Sequence, residues 1–185
     1  MDAKWFKDYF KLYDGLHLNE NIIADLILLK KKIQETSKTN KVYIFGNGGS
    51  AAMASHVAVD FSKNAKTNMM TFNEYDHITC LANDYGFDQW VAKTLEMYAN
   101  NEDMVILISS SGNSPNMINA AQYAKDNNIK VVTFTGFEES NKLKSLGDYN
   151  FWLDSKAYNI VEMVHQIWLL SVCDSIIGKA EYSAS

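Results

Sequence analysis

The stretch Val42-Tyr43-Ile44-Phe45-Gly46-Asn47-Gly48-Gly49-Ser50 decides the fold. Four apolar residues in a row read as a strand buried on both faces, and the glycines after it mark a tight turn. The small residues that follow, Ala51-Ala52-Met53-Ala54, continue as a helix. A second unit has the same shape: Met104-Val105-Ile106-Leu107-Ile108 runs into Ser109-Ser110-Ser111-Gly112-Asn113-Ser114. The unpaired N–H groups at a helix N-terminus, with the helix dipole behind them, favour an anion. Glycine allows close backbone approach, and serine or asparagine adds donors. Two such turns predict one site for phosphate or a phosphorylated small molecule.

Working outward, strands are expected near 41–45, 68–72, 104–109, 130–135 and 149–153. Helices are expected near 50–63, 87–99, 115–127, 140–146 and 159–177. Continuous apolar strands alternating with helices imply an α/β fold, a five-stranded parallel sheet flanked by helices on both faces. In such sheets a ligand binds beyond the strand C-termini where the strand order reverses, and both small-residue turns lie at that edge. The only proline, Pro115, stands at the first position of a helix, where its missing N–H costs little. With no linker or low-complexity tract, residues 1–185 read as one domain. Residues 1–40 form a helical N-terminal extension: Trp5, Phe6, Tyr9, Phe10 and Tyr13 recur at helical spacing, as do Ile22, Ile23, Leu26, Leu29 and Ile33. The strand–helix region closes without this extension, which is therefore expected to serve as an oligomer interface.

Composition narrows the function. The chain is 47% hydrophobic over 185 residues, enough for a sizeable core, and its net charge of −5 disfavours nucleic acid as the main ligand. The two cysteines, Cys80 and Cys173, form no CxxC pair and fit a reducing compartment. The start lacks a signal peptide's apolar stretch, and no uninterrupted apolar run reaches membrane-spanning length. The expectation is a cytoplasmic protein with no membrane partner.

Four ordered motifs carry a family resemblance: Gly46-Asn47-Gly48-Gly49-Ser50, Ser55-His56, Ala82-Asn83-Asp84-Tyr85-Gly86, and Ile108 through Ser114. The chain resembles the sugar isomerase (SIS) domain family and, within it, the phosphoheptose isomerases. The resemblance implies sugar-phosphate binding by Ser109, Ser110, Ser111 and Ser114 together with Ser50. It implies substrate contacts from Asn47, Gly48, Gly49, Asn83 and Asp84. It also implies isomerisation of sedoheptulose 7-phosphate for heptose biosynthesis, by a homotetramer whose sites are shared between subunits.

Aldose–ketose isomerisation moves a proton between adjacent carbons through an enediol, and it needs a base, an acid and oxyanion stabilisation. The family's histidine and glutamate on the first long helix read here as His56 and Asp60, four residues apart on one helix face. Its glutamine and second histidine, eight residues apart on the last helix, match Glu162 and Leu170 in one register, with His165 on an intervening histidine. The other register gives Val161 and Leu169. Neither supplies the second histidine. The catalytic candidates are thus Asp60 or Glu162 as base, assisted by His56 or His165. Some family members bind zinc, and the ligands retained here would be His56, Asp60 and Glu162, one short of a closed site. His77 is a further candidate near Asn83 and Asp84. Two functions follow from the resemblance: a phosphosugar isomerase, or a catalytically silent SIS module that binds a phosphosugar or a protein partner, as a relative that associates with the bacterial replication initiator does.

Overall fold

In a computed structural model, residues 2–182 are described; Met1 and residues 183–185, the ends of the single domain expected over 1–185, lie outside them. Five strands form one sheet: β1 (Val42–Phe45), β2 (Met69–Met70), β3 (Met104–Ser109), β4 (Lys130–Thr135) and β5 (Tyr149–Trp152). Their order is β2-β1-β3-β4-β5 and every pairing is parallel. The helices are α1 (Asp2–Lys11), α2 (Glu20–Thr36), α3 (Gly49–Lys63), α4 (Tyr75–Tyr85), α5 (Trp90–Tyr98), α6 (Pro115–Asp126) and α7 (Tyr158–Ile177).

Alternation along the strands divides the core between two faces. Ile44, Ile106 and Phe134 meet Leu29 and Ile33 of α2, Val57 and Phe61 of α3, and Trp168 of α7 on one face. Tyr43, Phe45 and Leu107 meet Trp90 and Leu95 of α5 and Met117 and Ala120 of α6 on the other. Helices on both sides explain why the central strands are apolar without interruption.

The N-terminal extension divides in two. In α2, Leu29 and Ile33 are fully buried, so this helix is part of the core rather than an appendage to it. None of the residues of α1 is buried, and its Trp5, Phe6 and Phe10 are more than half exposed.

Two expectations need correction, and one helix was not expected. The strand near 68–72 shrinks to two residues, paired only with β1 at the sheet edge. The helix near 140–146 is a single tight turn over Lys144–Leu146. There the Asn141 side chain bonds Glu138 O and the Lys144 N–H at 2.8 and 2.9 Å, which competes with helix propagation. Residues 75–85, left without an element in the sequence reading, form α4, which ends at Gly86 with φ 89°. The last helix, α7, is long and apolar enough by length and composition to cross a membrane. Here one side of it, from Ile160 to Cys173, is buried within the fold.

Candidate functional site

Strand β1 connects outward to β2 on one side and is flanked by β3 on the other, so the order reverses between β1 and β3. Both small-residue turns leave the sheet at that point. The first turn puts Gly48 in a left-handed conformation (φ 55°, ψ −121°), which a side chain would strain, and then starts α3 at Gly49. The second places Gly112 at φ 63°, with the Asn141 amide where a Cβ would stand. A cavity of about 70 Å³ lies between the turns. Its walls are Asn47, Ser50, Ser109, Ser110, Ser114 and Glu162, closed by Ile108 and Tyr158. Small-molecule pockets usually measure hundreds of Å³, and this one is the size of a small anion.

Several hydroxyls face this cavity. Ser109 Oγ and Ser114 Oγ share a hydrogen bond of 2.9 Å. Ser110 is buried and its Oγ has no partner among the described residues. A buried hydroxyl without a partner calls for a polar ligand or water. Ser111 does not line the cavity; its Oγ accepts the Asn113 N–H at 3.2 Å and stabilises the turn itself. The two turns are joined by a reciprocal amide pair that the sequence reading missed. Asn47 Nδ2 donates to Asn116 Oδ1 at 3.0 Å, and Asn116 Nδ2 donates back to Asn47 Oδ1 at 2.8 Å. Asn47 therefore holds the frame of the site.

Glu162 comes from α7 and lays its carboxyl against Gly49, where any Cβ would overlap it. Only glycine at the first turn of α3 leaves that space. Burial raises the Glu162 pKa above the ordinary carboxylate value.

A second cluster lies further along α3 and α7. His56 Nε2 is 3.2 Å from Asp60 Oδ2, and His56 Nδ1 is 2.9 Å from the Gln166 side-chain amide nitrogen. Asp60 Oδ1 also accepts from Asn64 Nδ2 at 3.3 Å. His56 is half exposed. Gln166 was absent from the sequence reading, which followed the family's spacing on α7. The signal was there: Gln166 follows Glu162 by four residues and so shares its helix face.

The zinc set expected from the resemblance does not assemble. Among the described residues no three His, Cys, Asp or Glu side chains converge on one point, and Glu162 lies with the serine turns rather than with His56 and Asp60. Both nitrogens of the His56 ring already have protein partners. The residues present do not fit a zinc site.

The remaining candidates lie elsewhere. His165 is fully buried against Phe134 and Trp168, with Nε2 3.1 Å from Thr135 O and Nδ1 without a partner among the described residues. Burial pushes its pKa down to about 4, and the structure does not bring it into the cavity. Asn83 and Asp84 are exposed on α4, bonded to each other at 2.9 Å, and do not line the cavity. His77 packs on the α4–α5 side, with Nε2 2.8 Å from Thr94 Oγ1 and its ring near Phe72. Leu169 is fully buried and Leu170 packs on the core, so both registers of the family's second histidine are apolar.

A parallel sheet with paired serine and glycine turns at its switch point defines a phosphosugar-type α/β domain, and the SIS domain model matches residues 18–136. The chain belongs to the SIS domain family. Its relatives place it in the phosphoheptose isomerase branch: it is 36% identical over 145 residues to the phosphoheptose isomerase of Fusobacterium nucleatum, covering 76% of this chain and 74% of that one. It is also 33% identical over 186 residues to a probable phosphoheptose isomerase of Thermoplasma acidophilum, covering 97% and 100%. The fold is that of a phosphoheptose isomerase structure from Francisella tularensis (TM-score 0.85, 23% identity, 97% and 100% of the two chains).

Proposed function

We propose that this protein is an aldose–ketose isomerase of phosphorylated sugars, with sedoheptulose 7-phosphate as substrate, serving heptose biosynthesis in the cytoplasm. The observation that carries the reading is the cavity at the switch point, which pairs an unpartnered buried hydroxyl with a desolvated carboxyl, Glu162. The phosphate is held by Ser50, Ser109, Ser110 and Ser114 and by the N–H groups at the starts of α3 and α6. The sugar extends out past Glu162.

Enediol formation needs a base able to take a carbon-bound proton and return it to the neighbouring carbon. Two carboxylates are available, Glu162 beside the phosphate pocket and Asp60 held by His56. In a homotetramer with shared sites, the Asp60 cluster of one subunit serves the pocket of another. The exposed aromatic face of α1 supports such an assembly.

The test is proton NMR of sedoheptulose 7-phosphate in deuterated water. Deuterium entering beside the carbonyl, with new aldose signals, supports the isomerase. Line broadening without exchange refutes it in favour of a binding module. Mixing a Ser110→Ala, Ser114→Ala double variant with Asp60→Asn tests sharing: activity returning on mixing shows that the two clusters act across subunits, and no return places them in one chain.

A further inference from the structure

We infer that Gln166 is a positioning residue that fixes the tautomer of His56, so that the ring presents its Nε2–H to the Asp60 carboxylate. The kinetic part of this inference rests on the isomerase reading; the chemical part does not.

The argument starts from donor types. The Gln166 side-chain nitrogen faces His56 Nδ1 at 2.9 Å. A primary amide nitrogen donates and does not accept, so Nδ1 must be the acceptor. A ring nitrogen that accepts carries no proton, which leaves the proton of the neutral imidazole on Nε2. That nitrogen lies 3.2 Å from Asp60 Oδ2, an acceptor. The order is therefore one-way: the Gln166 N–H bonds Nδ1, and the Nε2–H is left for the Asp60 carboxylate, whose Oδ2 lies at ion-pair distance, 3.2 Å. With Asn64 donating to the other Asp60 oxygen at 3.3 Å, the carboxylate is oriented from two sides. Cys173 of α7 also lies near Asp60 and offers no cation.

This arrangement compensates for two losses. Aspartate is one methylene shorter than the family's glutamate, so its position needs closer control. The family's second histidine is replaced by leucine in either register, so no other imidazole holds the carboxylate. It also occupies the one lone pair that His56 would present to a metal ion, which connects the missing zinc set to a named side chain.

The test uses the full-length ¹⁵N-labelled protein. A through-hydrogen-bond ¹⁵N–¹⁵N coupling between the Gln166 amide and His56 Nδ1, with a pyrrole-like Nε2, is expected in the wild type. Gln166→Leu removes the coupling. Gln166→Glu keeps the size of the side chain but its carboxylate can only accept, so Nδ1 should gain a proton while Nε2 keeps its own, giving an imidazolium between two carboxylates. Both variants should lower kcat by about 10- to 100-fold, with KM for the sugar phosphate held within about twofold, as expected when a reacting group is misplaced. A packing role alone would leave Gln166→Glu like the wild type. No coupling in the wild type, a protonated Nδ1 there, or an unchanged kcat in both variants overturns the proposal. A wild type that shows the coupling yet turns over no sugar phosphate overturns the isomerase reading and leaves the hydrogen-bond assignment standing.

Discussion

Replacing His165 with leucine should flatten the acid limb of the stability curve. His165 is fully buried, and its pKa falls from an ordinary 6.5 to about 4. The folded protein therefore keeps this ring neutral at pH values where the unfolded chain protonates it. Below about pH 6.5 the unfolded state binds more protons than the native state, so stability is lost as pH falls and levels off near the folded pKa. Two and a half pH units at about 1.4 kcal/mol each give a total loss of about 3 kcal/mol, of which about 2 kcal/mol is reached by pH 5. His165→Leu removes this dependence. Near pH 7 the substitution should cost little, within about 1 kcal/mol, because Thr135 O keeps the Leu153 N–H at 2.9 Å and the unpartnered Nδ1 disappears. The assay is urea unfolding of both proteins across pH 7 to 4.5 at one fixed subunit concentration, since association couples to unfolding. The variant should become the more stable protein at pH 5. Parallel curves for the two would show that His165 titrates as a solvated ring, and the burial argument would be refuted.

Other substitutions separate framework from chemistry. Gly49→Ala should change stability by no more than about 1 kcal/mol, the helix propensity gain offsetting the crowding, yet it drives the Glu162 carboxyl out of its place. Its effect on kcat/KM should vanish in a Glu162→Ala background, and additive losses would disprove the contact. Asn116→Leu breaks both amide bonds to Asn47 and should cost about 2–3 kcal/mol by thermal or urea unfolding, with weaker inorganic phosphate binding by calorimetry. Because burial raises the Glu162 pKa, the native state holds that proton more tightly than the unfolded chain, and stability falls as pH rises through the folded value. Glu162→Gln should remove this decline, which unfolding from pH 4 to 8 would detect.

Much of this was legible in the chain itself. Strands β1 and β3 are buried along their whole length, and their apolar runs announce it, while β4 carries threonines and the edge strand β5 buries only Phe151. Strand β2 was harder because an edge position pairs on one side only and needs few residues. Helix α4 buries a single residue, Leu81, and so leaves little periodicity to read. The serine and glycine turns located the cavity, and Glu162 belongs to it. What α7 does with its other polar residues was hidden, because a helix apolar almost all round does not reveal which side faces the sheet. His165 turned inward and Gln166 turned toward His56, and only packing against α3 and β4 distinguishes them. Asn116 was hidden for another reason: its partner stands 69 residues away, and no local pattern encodes the pairing.

The reciprocal Asn47–Asn116 bridge has a thermodynamic consequence. Two neutral amides, each giving and taking one bond, form a clasp indifferent to pH and only weakly screened by salt. The turns it joins are held at one separation before any ligand arrives. Capture of an anion then requires little loss of loop freedom, and more of the intrinsic attraction survives as affinity. Such a clasp also ties the first turn to the start of α6, which directly follows the second turn, so displacement of one strains the other.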